Sequence, residues 1–277
     1  MLTTTLDGIW VLQVLSGVEV LAPEVGLRPH LPSVESARMA LAHPAAKDLR
    51  AAGVIDAAGE VDPTVLEWLT VLARREVGLL LHVQTPAAEA EPVRILLARF
   101  AQWWVSLERS AMLARLSGAG IATTEKSAGL LINAEIARLC GDMAPAPAKP
   151  VTIDATELVS SVRDRASLRT YLVDRDFDSD QVGTLMLAAD TRRSAQASLV
   201  AVQSGVADGP GRSHIDQDAV TILDTPQGRL LSERVRRDGR SWLIVSPGSA
   251  TNVATAVQQM MRRLPARENW YFHRKAV

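Results

Sequence analysis

Two hydrophobic periods alternate along this chain, and each change of period marks the border of an element. Behind Asp62-Pro63 the apolar residues Val65, Leu66, Leu69 and Leu72 recur on one helical face, which predicts a helix opened by proline at its first position. From Val77 the pattern becomes strand-like. Val77 to Gln84, Val93 to Phe100, Trp103 to Arg109 and Leu113 to Ser117 are rich in β-branched and aromatic residues. Their connections are short apart from the loop Thr85 to Pro92, so they predict an antiparallel meander. Gly118 and Gly120 then lead into a helix, Thr124 to Cys140, with Ala128, Leu131, Ile132, Ile136 and Leu139 along one stripe. Upstream of all this, Pro23, Pro29 and Pro32 keep Leu21 to Ser33 irregular, because each lacks a donor and restricts its predecessor. Ser33 or Ser36 caps a helix running through Leu41 and Leu49 to a stop at Gly53. The segment Gly8 to Gly17, with Asp7 available as a cap, fits a strand and a short helix equally.

The second half repeats this order. After Pro145, Pro147 and Pro150, which make Met143 to Pro150 a stiff linker, Asp154 and Asp178 stand three residues before Glu157 and Gln181, the spacing of a capping box. They predict helices over Ala155 to Val173 and Ser179 to Ala189. Strands follow at Ser194 to Ser204, Gln217 to Asp224, Arg229 to Arg236 and Arg240 to Ser246, with turns at Thr225-Pro226-Gln227-Gly228 and Asp238-Gly239. A last helix, Ser249 to Leu264, carries Val253, Ala256, Val257, Met260, Met261 and Leu264 at helical spacing. Helices, strand, loop, three-strand meander, glycine turn and amphipathic helix thus occur twice, offset by about 125 residues, a domain-sized repeat. The expected fold is α+β, with two pseudo-two-fold halves of β-meander and packed helices. Residues 1–142 form one half, 143–150 the Pro/Ala linker and 151–277 the other, packed as one body because each sheet needs its second face covered.

Charge and composition narrow the function. The 277 residues carry 30 Lys and Arg against 31 Asp and Glu, a net charge of -1, which provides no field for gathering nucleic acid. The longest uncharged stretch, Ser241 to Met261, is broken by Pro247-Gly248 and by polar residues, so no membrane insertion is expected. The first basic residue is Arg28, which leaves no charged start for an export signal. A single cysteine, Cys140, forms no internal disulfide and suits a reducing compartment.

Candidate chemistry is sparse. Gly118-Ala119-Gly120 stands between a strand and a helix, yet Thr123 occupies the place of the third glycine of a dinucleotide fingerprint, and the strand belongs to a meander. His214, Asp216 and Asp218 alternate as metal ligands on one strand face would, or as solvated residues of a strand edge, with no fourth ligand nearby. No Gly-x-Ser-x-Gly elbow occurs, and Cys140 has no patterned histidine. Trp103-Trp104 sends one indole to each face of its strand, either one into the core and one outward or both beneath helices. The loop Thr85 to Pro92 exceeds a simple hairpin, and such loops carry binding on a rigid scaffold. Neither a cofactor nor a metal is expected.

The run Val220-Thr221-Ile222-Leu223-Asp224-Thr225-Pro226-Gln227-Gly228-Arg229, followed by Ser246-Pro247-Gly248-Ser249 and a helix ending Leu264-Pro265, resembles the EspG family. Gly26-Leu27-Arg28-Pro29, Gly53-Val54-Ile55-Asp56 and Val61-Asp62-Pro63 extend the resemblance over nearly the whole chain. Met1 to Val14 and Leu27 to Ser36 look most like the member of the second ESX system. The resemblance implies a cytosolic chaperone of mycobacterial type VII secretion, which binds PE–PPE heterodimers at the apolar tip of the PPE subunit and keeps them soluble. It also implies that no catalysis is involved and that the free protein is a candidate homodimer. The implied contact residues are Thr85, Ala87, Ala88, Glu89, Ala90, Glu91, Val93 and Arg94 in the loop between the second and third strands. In the helical region Leu158 to Leu187 they are Leu168, Tyr171, Leu172 and Phe177. The family's substrates carry Trp-x-Gly or Tyr-x-x-x-Asp/Glu signals, which this chain lacks, with Arg175 and Lys275 four residues beyond Tyr171 and Tyr271. The alternative is an α+β protein with a small-molecule or catalytic pocket between its halves.

Overall fold

In the structure, a computed structural model describing residues 1–86, 91–205 and 213–274, eleven strands form one antiparallel sheet. At one edge β1 (Leu2–Thr5) pairs with β5 (Leu113–Ile121), followed by β4 (Trp103–Ser110), β3 (Val93–Phe100) and β2 (Val77–Gln84). At the centre β2 pairs with β7 (Ala195–Ser204), Leu80 facing Val200 across the seam. Beyond it come β9 (Val220–Thr225), β10 (Gly228–Arg237), β11 (Arg240–Pro247) and β6 (Val151–Asp154), with the short β8 (Ser213–Ile215) on β7. The order is palindromic. A two-fold operation through the β2–β7 seam exchanges each N-terminal strand with a C-terminal one, which is the pseudo-two-fold α+β architecture that the repeat implied.

Side chains alternate across the sheet and divide the core into three. On one face, α1 (Leu6–Ser16), α2 (Ala37–Ala42), α3 (Pro44–Ala51) and α4 (Pro63–Arg74) cover the N-terminal strands around Leu12, Leu49, Leu69, Leu96 and Leu107. On the same face of the C-terminal strands, α6 (Ala155–Ser161), α7 (Arg165–Val173) and α8 (Ser179–Ala188) enclose Ile153, Leu172, Val182, Met186 and Leu230. The opposite face carries the two long helices α5 (Glu125–Cys140) and α9 (Ala250–Arg263), packed over Leu79, Leu199, Ile222 and Leu231 through Ile132, Val257 and Met260. Leu230 and Leu231 are neighbours in sequence and lie in different cores, as period two requires.

Several expectations are corrected. Gly8 to Ser16 belongs to the helix α1, which Gly17 ends in a left-handed conformation, and its cap is Thr5, whose hydroxyl accepts from the Gly8 amide at 3.1 Å, while Asp7 sits in the first turn. The helix expected from Ser33 to Gly53 is two, because Pro44 cannot donate and forces His43 to an extended ψ of 141°. Ser36 caps the first of them. Ala155 to Val173 is likewise split, and Asp164 with Ser167 restarts the chain as a complete capping box. Gly118 and Gly120 lie inside β5, beside a bulge opposite Trp104 and Val105. There Gly118 makes room for the Trp68 indole, whose Nε1 would be 3.1 Å from a Cβ. The sequence pattern missed β6, whose four residues follow directly on the linker, and β9 begins at Val220 rather than Gln217.

Candidate partner-binding site

Between the two helical bundles, the sheet face at the seam is only partly covered. Register places Arg109, Arg94, His82, Ser198, Thr221 and Ser232 in one row across six strands. His82 and Arg94 are exposed, and the Ser198 and Thr221 hydroxyls face each other at 3.3 Å. The next row holds Leu80 and Val200, both only half-buried. An apolar floor with a polar border is thus open between the bundles. A polypeptide could lie there and exchange water for Leu80 and Val200 while its polar groups meet the hydroxyl row.

Two residues further along β2, β7 and β9 from this row lie the regions singled out in the sequence. Gln84 pairs with Gln196, and Gln196 with Leu223, so the loop after β2 leaves the sheet at the end where α8 enters β7 and β9 turns into β10. At that end α7, α8 and the turn residue Gln227 line a groove of about 440 Å³, with Val173, Phe177, Val182 and Met186 as its apolar wall and Arg165, Arg169 and Arg193 at its rim. Arg165 reaches Asp190 at 2.5 Å and holds that carboxyl below its ordinary range. The Arg175 guanidinium lies 5.4 Å from the Tyr171 ring centre and pairs with Glu157.

The implied contact residues divide by burial. Thr85, Glu91 and Arg94 are exposed, whereas Val93 packs against the core beneath α5 and α9. Leu168 and Phe177 are half-buried beside the groove, Tyr171 is buried, and Leu172 is fully enclosed in the C-terminal core. The exposed large apolar residue of α7 is Val173. Ala87, Ala88, Glu89 and Ala90 lie outside the described residues. Sequence reasoning missed the seam face. Its signal is the interruption of the apolar run Gly78 to Val83 by His82 and of Ala197 to Val202 by Ser198, both in register on one side.

The sites weighed for chemistry are engaged elsewhere. Asp216 pairs with Arg263 at 2.9 Å and Asp218 with Arg236 at 3.3 Å, and among the described residues no cluster of three metal-ligating side chains occurs. Burial pushes the Cys140 thiol up to about 11. Trp104 is buried against Trp270, while Trp103 is exposed beside α4 with Leu66 and Ile121. Among the described residues no helix is long and apolar enough to cross a membrane.

Comparison with known proteins agrees with this architecture. The chain is 48% identical over 280 residues to the ESX-2 secretion-associated protein EspG2 of Mycobacterium tuberculosis, with the full length of both covered. It is 25% identical over 248 residues to the ESX-3 secretion-associated protein EspG3 of Mycolicibacterium smegmatis, covering 86% of this chain and 78% of that one. Its fold matches, with a TM-score of 0.75 and 20% identity over 98% and 99% of the two chains, the Mycobacterium tuberculosis type VII secretion system chaperone EspG5, solved in complex with a PE25–PPE41 dimer. The EspG family model covers residues 5–259, and the chain belongs to the EspG family.

Proposed function

We propose that this protein is a cytosolic chaperone of type VII secretion that binds a PE–PPE heterodimer at the apolar tip of the PPE subunit and keeps it soluble before export. The observation that carries the reading is the open face at the seam, continuous in register with the loop after β2 and ending beside the α7–α8 groove. Full-length similarity to EspG2, and the fold shared with a chaperone solved on a PE–PPE dimer, support it. Residues 1–142 and 151–277 act as two halves of one body, so the surface draws the β2–β3 loop from one and α7–α8 from the other. The mechanism is masking. An exposed apolar patch of more than a few hundred Å² invites self-association, and covering it restores solubility without catalysis, metal or cofactor.

A stable interface of this kind buries roughly 1,600 Å² and concentrates its energy in few residues. Replacing Ala87 to Glu91 by a Gly-Ser segment of equal length should therefore weaken heterodimer binding at least about tenfold. The melting temperature should stay within a few degrees, because such loop changes are worth about 0.5 kcal/mol. Co-expression with candidate heterodimers followed by co-purification and titration measures the binding. Wild-type affinity in the loop variant would remove the loop from the interface and leave α7–α8 as the site to test.

A further inference from the structure

The two sequence motifs that carried the family resemblance, Asp224 to Arg229 and Pro247-Gly248-Ser249, meet at one residue. Across the β9–β10 hairpin Arg229 stands opposite Asp224, and the carboxylate takes the guanidinium with both oxygens, at 2.6 Å from Nε and 2.8 Å from Nη2. Thr225 closes the turn by donating to the Gly228 carbonyl at 2.8 Å. So fixed, Nη2 also donates to the carbonyls of Cys140 at 2.9 Å and Gly141 at 3.2 Å, the end of α5, whose last carbonyls lack partners within the helix. The Arg229 backbone holds the segment that follows. Its amide donates to the Ala144 carbonyl, and its carbonyl accepts from the amides of Ala146 and Gly248, each at 2.8 Å.

Both glycines are required by this approach. A Cβ on Gly228, whose φ is +123°, would stand 2.8 Å from the backbone of Ala144 and Ala146. A Cβ on Gly248 would stand 2.4 Å from Arg229 Cγ and 3.0 Å from the Leu230 backbone. The seated segment continues into the C-terminal bundle. Ala146 is buried with Tyr171, Leu172 and Met186, Ala148 packs beside them, and Lys149 reaches Asp178 at 3.4 Å. A comparable hold exists at the equivalent hairpin of the other half, from the opposite strand: Arg99 faces Trp104 where Asp224 faces Arg229. Buried Arg99, on β3 at the β3–β4 turn, donates at 2.5 Å to the carbonyls of Tyr271 and His273, in the segment that follows α9. Each half thus sends the arm after its long helix onto the other half, where an arginine holds it by backbone carbonyls.

We propose that the Asp224 to Arg229 hairpin and Gly248 form one socket for the arm 140–148, and that the seated arm sets where α7 and α8 stand. Arg229 is then a positioning residue for the C-terminal part of the partner surface, a consequence that rests on the function proposed above. Amide hydrogen exchange on the full chain tests the socket without any partner, using Arg229→Gln, Arg229→Lys and Gly228→Ala, with Arg234→Gln on the exposed end of the same strand as control. Exchange over 143–148 and 165–188 should rise about tenfold or more in Arg229→Gln and Gly228→Ala, with α1 and α4 unchanged. Arg229→Lys should fall between these and wild type, since an ammonium keeps the charge but not the fork. Unchanged exchange over 165–188, or an equal rise in every helix, overturns the proposal. If the local rise occurs and wild type binds a PE–PPE heterodimer, the two variants should bind about tenfold more weakly; equal binding overturns the link to the partner surface. A wild type that binds no heterodimer counts against the function, while the exchange pattern still decides the socket.

Discussion

Cys140 ends α5 with its thiol raised to about 11 by burial, so it is neutral at physiological pH and a poor nucleophile. Iodoacetamide at pH 8 should label it roughly tenfold or more slowly than in denaturant, and Cys140→Ser should leave heterodimer binding unchanged. Loss of binding in a folded Cys140→Ser protein would give the thiol a role that its surroundings do not suggest. Glu125 titrates the other way. The Arg262 fork, at 2.7 Å from both oxygens, and the Trp270 indole at 3.2 Å bring its pKa from about 4.5 down to about 2. A carboxyl lowered on folding contributes stability that is fully present above its unfolded pKa and is lost as pH falls through the folded one. Glu125→Gln should therefore lower the unfolding free energy at pH 7, by on the order of 1 kcal/mol because Arg262 is half exposed and screened. The difference from wild type should shrink between pH 5 and pH 2; a difference constant with pH would show that the pair does not couple to folding.

Among the elements, α1 shows what local pattern conceals. Its residues Gly8, Ile9, Val11, Leu12, Gln13 and Val14 are all buried, so no polar face remains to reveal a helical period. The cap assignment has a direct test. Thr5→Ala removes the acceptor for the Gly8 amide and should cost about 1 kcal/mol in denaturant unfolding, whereas Asp7→Ala should cost only a few tenths. Equal losses would return Asp7 to the capping role. Where a helix begins with a strong cap and keeps a wet face, the sequence sufficed. Asp62-Pro63 opens α4, Thr124 opens α5 and Ser249 opens α9, each within a residue of the expected start. The Asp238-Gly239 hairpin also forms as expected, because positive φ at both positions is a local demand of a tight turn.

Over the whole molecule, the C-terminal arm is tied to the seam by Glu76 and Arg99, both fully buried and 3.1 Å apart. Burial lowers the Arg99 pKa to about 10, still protonated at any physiological pH, so the ion pair persists. Arg99→Met should remove the guanidinium donors from the arm and leave Glu76 with Arg274 and the Ala101 amide, costing about 3–5 kcal/mol in chemical denaturation. Adding Glu76→Gln should recover part of that loss, since the buried charge is then gone; no recovery would mean that the lost carbonyl bonds dominate. The sequence by itself determined the α+β class, the duplicated order, four strands of the first meander and the family, because these rest on period, caps and turn chemistry that act over a few residues. Only the tertiary structure decided that Leu172 is core rather than surface, since Leu172 and Val173 are equally apolar and differ only in what α7 faces. It also decided the seam face, where His82 and Ser198 become neighbours through pairing of strands more than a hundred residues apart, and the arm socket, where Gly228 meets Ala146. Such contacts are set by the packing of the two halves, and no local pattern encodes them.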